Sequence, residues 1–183
     1  MRLFIAVEIK QIPTILSLIN SIKQTNADVK LVDPENIHLT LAFLGEVEDL
    51  KLSRIEDSMN SVKFSKFNIV LRGTGAFPSI SRPRVVWIGI EKGFNNMKDI
   101  RAQLVSNLKL NGIKPEDDKE FVPHITIGRV KGPRNLSELS SFIIKNANEL
   151  YGEMEVNEIK LFKSTLTPKG PIYEVLYAIR ANN

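Results

Sequence analysis

His38-Leu39-Thr40-Leu41 and His124-Ile125-Thr126-Ile127 are the two stretches on which the reading of this chain turns. They hold both histidines of the 183 residues, 124 − 38 = 86 positions apart, a little under half the length. In each stretch polar and apolar residues alternate, the period of a strand with one buried face. His and Thr then share a face. Leu39 and Leu41, like Ile125 and Ile127, point the other way and anchor the strand to whatever packs behind it.

The echo continues outward in both directions. Residues 2–9 and 84–90 read as apolar strands. Each is followed by helical periodicity: Ile15, Leu18, Ile19 and Ile22 within 12–22, then Met97, Ile100, Leu104 and Leu108. The motif strands come next, at about 36–44 and 123–130. A second helix follows each, over 50–62 and 136–150, and a strand closes each unit, near 67–75 and 156–164. A last strand, 172–179, has no partner in the first half. The chain is thus a single bilobal domain over 1–183 with approximate repeats 1–80 and 81–183. Turn residues at 78–83, 117–120 and 168–171 punctuate it, and 78–83 is the expected lobe junction, unless the strands on either side pair across it. Strands and helices in this order predict an α+β fold with helices on one face of each sheet and a cleft between two lobes.

Composition sets the frame. The chain is 43% hydrophobic and 25% charged, as expected of a folded globular protein. It has no cysteine, which excludes disulfides, thiol nucleophiles and thiolate metal sites. The apolar run after Arg2 is too short for a signal core, and no stretch approaches a membrane span, so a cytoplasmic protein is expected. A net charge of +4 favours an anionic partner.

Two His and two Thr brought together by an approximate two-fold axis suit a phosphate. Threonine hydroxyls donate to non-bridging oxygens. One neutral imidazole takes a proton from the attacking group, and an imidazolium opposite gives one to the departing oxygen. Phosphoryl displacement runs roughly in line, so acid and base must flank phosphorus. Five residues beyond each His stand Phe43 and Arg129. Arginine at such a place pairs with phosphate charge, and phenylalanine stacks on a base. Two histidines cannot fill a metal's ligand set, and no metal or other cofactor is expected. Arg82, Arg84, Lys131 and Arg134 could form an RNA-facing rim. The competing reading of each residue is plain: threonines as β-formers, Phe43 and Trp87 as core, Arg129 as a strand-end charge, and those four basic residues as solvated cations. A single motif would not outweigh it. Two copies holding both histidines do.

The paired motifs resemble the signature of the 2H phosphoesterase superfamily. Residues 2–7 (RLFIAV), 38–45 (HLTLAFLG), 77–87 (FPSISRPRVVW) and 123–129 (PHITIGR) narrow the likeness to the RNA 2′,3′-cyclic phosphodiesterases of archaea and bacteria, also called 2′-5′ RNA ligases. The resemblance implies a bilobal, LigT-like fold with two antiparallel sheets lining a central cleft and helices outside. It implies metal-independent hydrolysis of an RNA 2′,3′-cyclic phosphate end to a 2′-phosphate. His124 would be the base on water, His38 the acid on O3′, Thr40 and Thr126 the phosphate holders, Arg129 a further charge and Phe43 the base stack. The implied partner is RNA with such an end, tRNA fragments included, acted on by a monomer. Two alternatives stand beside this: an ATP-independent 2′-5′ RNA ligase acting on RNA or tRNA halves with the same active site, and a non-catalytic module that binds RNA ends.

Overall fold

The run Leu3 to Val7 is buried without interruption because its strand, β1 (Arg2–Glu8), lies inside a sheet with both faces covered. Leu3, Ile5 and Val7 join the main core beneath the helices. Phe4 and Ala6 join Phe162 in a smaller cluster on the opposite face. The computed structural model describes every residue except Gln11, Asp117, Asp118, Lys119 and Asn183. Of the turn expected at 117–120, Glu120 alone is therefore described.

The helices are α1 (Pro13–Gln24), α2 (Leu52–Asn60), α3 (Phe94–Leu110) and α4 (Leu136–Lys145). Pro13 opens α1 in its first turn, where a missing N–H is not needed, and Ile15, Leu18, Ile19 and Ile22 form its buried stripe. Met97, Ile100, Leu104 and Leu108 do the same for α3, and Arg101 lies buried among them. Gly93, at φ 89°, starts α3 where the chain passes tightly over Ile69: a Cβ there would sit 2.6 Å from Ile69 Cγ2.

The remaining strands are β2 (Val29–Leu31), β3 (His38–Glu46), β4 (Phe67–Pro78), β5 (Pro83–Ile90), β6 (His124–Val130), β7 (Leu150–Val156), β8 (Glu158–Thr167) and β9 (Gly170–Arg180). They form two antiparallel sheets, ordered β3-β1-β8-β9 and β2-β6-β5-β4-β7. Setting β2 aside, the orders correspond: motif strand at one end, then β1 or β5, then β8 or β4, then β9 or β7. The last strand thus has a spatial counterpart, β7, although it has none at the matching place in the sequence. The α+β architecture with two antiparallel sheets is as expected.

The lobes, however, are not the two halves of the sequence. The segment 78–83, expected as the lobe junction, closes a β4–β5 hairpin inside the five-stranded sheet. So short a connection between two apolar strands favours pairing over departure to another sheet. Each sheet therefore takes strands from both halves, and so do the helix layers. α3 packs on β3 and α2 on β9, whereas α4 packs on β4 and α1 on β7. The helix expected over 136–150 stops at Lys145, and β7 follows almost at once.

Candidate active site

Each motif strand carries the same irregularity. In the β1–β3 ladder Ala6 faces Thr40 and Ile5 faces Ala42, so Leu41 is left over. In the β5–β6 ladder Trp87 faces Thr126 and Val86 faces Gly128, so Ile127 is left over. Both are one-residue bulges directly after the threonine. A bulge switches which face the following residues present. Leu41 and Ala42 are consecutively buried, then Phe43 emerges, and Ile127 and Gly128 are buried before Arg129 emerges. By plain alternation the fifth residue past each His would point away from it. The bulge returns Phe43 to the face of His38 and Thr40, and Arg129 to that of His124 and Thr126.

All six residues singled out by sequence, His38, Thr40, Phe43, His124, Thr126 and Arg129, line one cavity of about 450 Å³. Its walls come from β3 and β6, from the segment Glu120 to Val122, and from Phe77, Val85 and Arg101. The two rings are tethered alike. Nδ1 of His38 lies 2.7 Å from the Asn36 carbonyl, and Nδ1 of His124 lies 2.7 Å from the Val122 carbonyl, two residues back in each case. A carbonyl can only accept, so each Nδ1 carries hydrogen, and in the neutral ring Nε2 is the basic nitrogen. Phe43 is 40% exposed, high for a phenylalanine beside a core and fitting for a stacking surface.

The surroundings of the two rings differ. His38 packs against Phe4 (4.9 Å between centroids) and makes a T-shaped contact with Tyr173 (5.5 Å). Burial holds its pKa below the ordinary histidine range, opposed by the Asn36 carbonyl and the Glu8 carboxylate. Glu8 stands opposite His38 in the ladder and is paired with Lys160 at 2.8 Å. His124 makes a T-shaped contact with Phe77, 5.0 Å between centroids at 88°. Burial raises the pKa of Tyr173, against the pull of the Arg129 charge.

The LigT like Phosphoesterase family model matches the chain twice in tandem, over residues 7–87 and 88–173, one motif in each match. This chain belongs to the LigT-like phosphoesterase family. The RNA 2′,3′-cyclic phosphodiesterase of Archaeoglobus fulgidus is 41% identical over 181 residues, 96% of this chain and 98% of that one. The protein of the same name from Methanocaldococcus jannaschii is 42% identical over 185 aligned residues, 96% of this chain and 98% of the other. Among solved structures, TT0787 of Thermus thermophilus superposes with a TM-score of 0.78 at 29% identity, over the whole of both chains.

Within this LigT-like phosphoesterase the structure adds residues that sequence reasoning passed over. Tyr173 and Glu8 flank His38, Phe77 flanks His124, and Arg101 reaches the cavity from α3. Glu8 was legible in principle, standing in a strand next to a motif strand. Arg101 left one signal, a charged residue inside an apolar helical stripe. Tyr173 left none: it arrives from the last strand through a sheet order that the sequence does not spell out. Trp87, expected as core, is half-buried beside Thr126, its ring occupying the space that a side chain at Gly75 would need. Arg82, Arg84, Lys131 and Arg134 are not among the residues lining the cavity. Among the described residues no group of three or more His, Asp or Glu side chains could hold a metal ion, and no helix is long and apolar enough to cross a membrane.

Proposed function

We propose that this chain hydrolyses RNA 2′,3′-cyclic phosphate ends to 2′-phosphates by acid–base catalysis with two histidines and no metal. The observation that carries the reading is the pair of identical Nδ1-to-carbonyl tethers on two rings lining one cavity. The names of the full-length archaeal relatives support the substrate class. Nε2 of neutral His124 takes a proton from water as its oxygen bonds to phosphorus. The P–O3′ bond breaks opposite, and the His38 imidazolium gives its proton to O3′. The products are a 2′-phosphate and a free 3′-hydroxyl. Thr40 and Thr126 donate to the non-bridging oxygens, Arg129 adds charge, and Phe43 stacks on the terminal base.

The burial of His38 suits the acid's role in one respect and opposes it in another. A lower pKa makes the imidazolium a better proton donor, but it leaves fewer protonated rings in the free enzyme. The substrate's phosphate charge, arriving beside the ring, restores the proton. A 5′-hydroxyl taking the place of water, with the P–O3′ bond breaking and O3′ protonated as before, would give a 2′-5′ linkage, so ligation needs no second site.

The test is a short RNA with a 2′,3′-cyclic phosphate end, incubated with the protein in excess EDTA, with the phosphate position of the product read out. A 2′-phosphate is expected. His38→Ala and His124→Ala should each lose about 10²–10⁴ in rate. Undiminished turnover in either variant, or dependence on added metal, would sink the reading.

A further inference from the structure

A bulged residue's carbonyl leaves the regular ladder and needs a donor from elsewhere. At the second motif that donor is backbone: the Val32 N–H, just beyond β2, reaches the Ile127 carbonyl at 2.8 Å. β3 is the end strand of its sheet, and among the described residues no further strand pairs with it. At the first motif the donor is a side chain, Arg101 Nη1, 2.6 Å from the Leu41 carbonyl.

Arg101 is only 8% exposed on the apolar stripe of α3, a costly place for a charge. Its guanidinium also lies 5.3 Å from the centre of the Phe121 ring, within cation–π range. Phe121 immediately precedes Val122, whose carbonyl tethers His124. Both Arg101 and Phe121 line the cavity. One rigid planar group thus touches the bulge between Thr40 and Phe43 on one side and the segment leading into His124 on the other.

We propose that Arg101 is a positioning residue that sets the facing of His38 and His124 by clamping the Leu41 bulge to the Phe121 segment. The proposal rests on the reading of this cavity as a phosphodiesterase site. The two motif strands belong to different sheets, so covalent geometry alone does not hold them in register. A guanidinium can bond a carbonyl with one edge and present its flat face to a ring at the same time. A lysine ammonium can do the first but has no such face.

The experiment measures kcat and KM of Arg101→Met and Arg101→Lys on an RNA with a 2′,3′-cyclic end, with thermal unfolding of each variant. Histidine ring NMR signals are followed during titration with inorganic phosphate. Arg101→Met should lose about 10²-fold in kcat, the scale of a misplacement of about 1 Å, with a smaller change in KM. Arg101→Lys should recover part of the loss. A folded Arg101→Met with kcat within about threefold of wild type overturns the clamp. If Arg101→Met does not fold, Phe121→Leu decides, since it keeps the bond to Leu41 and removes the ring: a kcat loss at native melting temperature supports the clamp, and an unchanged kcat overturns it. If the wild type does not turn over the RNA, the hydrolase reading falls and the NMR decides. Phosphate moving both histidine signals in wild type but not in Arg101→Met supports the clamp. Equal movement in both proteins overturns it.

Discussion

The β3 half of the site and the β6 half share a backbone and differ in nearly everything that touches it. Both have the His tether two residues back, the threonine, and the bulge after it. Across the ladder, His38 faces Glu8 where His124 faces Gly89, and Thr40 faces Ala6 where Thr126 faces Trp87. The exposed residue past the bulge is aromatic in one half and cationic in the other. Duplicated backbone supplies geometry, putting two rings and two hydroxyls around one space. The unduplicated neighbours supply chemistry, burying His38 so that its pKa falls and giving each end of the cavity its own side chain past the bulge.

The sharpest way to break this comparison is to remove both rings. If His38 and His124 act as one acid–base pair on one phosphate, His38→Ala/His124→Ala should be little worse than the worse single variant, because groups that act as a unit are strongly non-additive. Losses that multiply in full would mean that the histidines serve separate steps. Single-turnover rates of the four proteins on the same RNA give the answer.

Next in size is the contrast between Arg129 and Phe43. A charge-assisted bond to phosphate is worth about 1.5–3 kcal/mol, so Arg129→Met should lose about 10–100-fold in kcat/KM. It should also weaken inhibition by inorganic phosphate. Base stacking is worth about 1–3 kcal/mol, so Phe43→Leu should lose a similar factor on RNA. Phosphate inhibition should not change in Phe43→Leu, because phosphate has no base to stack. If Phe43→Leu also weakens phosphate inhibition, the division of the cavity into a cationic end and a stacking end is wrong.

Much of the site is legible in the sequence. Alternation places His with Thr, and Leu39, Leu41, Ile125 and Ile127 are fully buried as that alternation requires. The apolar stripes of α1 and α3 are legible too, because a 3.6-residue period sustained over two or three turns marks a helix with one buried face. The features that escape the sequence lie in departures from period. Phe43 and Arg129 reach the cavity only through bulges, and no alternation rule foresees an extra residue. In β7, Tyr151 is similarly skipped between the pairs Leu71–Gly152 and Arg72–Leu150, which scrambles the strand's pattern and merges it with the end of α4. β2 is three residues long, too short for periodicity to register. Lobe membership escapes for a different reason. Periodicity reports which face of an element is buried, and it carries no information about which sheet buries it.

The smallest expected effect is also the one that assigns the two proton roles. Glu8 raises the His38 pKa against the larger effect of burial, and Lys160 holds Glu8 in place. Glu8→Gln removes a negative charge and should lower the His38 pKa further. The imidazolium then becomes scarcer at any given pH, and the neutral ring more abundant. If His38 is the acid, the alkaline limb of kcat/KM moves to lower pH and the rate above neutrality falls. If His38 is the base, the acid limb moves to lower pH and the rate below neutrality rises. His124 stands opposite Gly89, so the neutral residue at the matching place provides the control: its own limb should stay where it was. A pH profile of kcat/KM for wild type and Glu8→Gln, with the shift read on one limb alone, separates the outcomes. A shift of both limbs together would mean that the two histidines titrate as a coupled pair, and roles would then belong to the pair rather than to either ring.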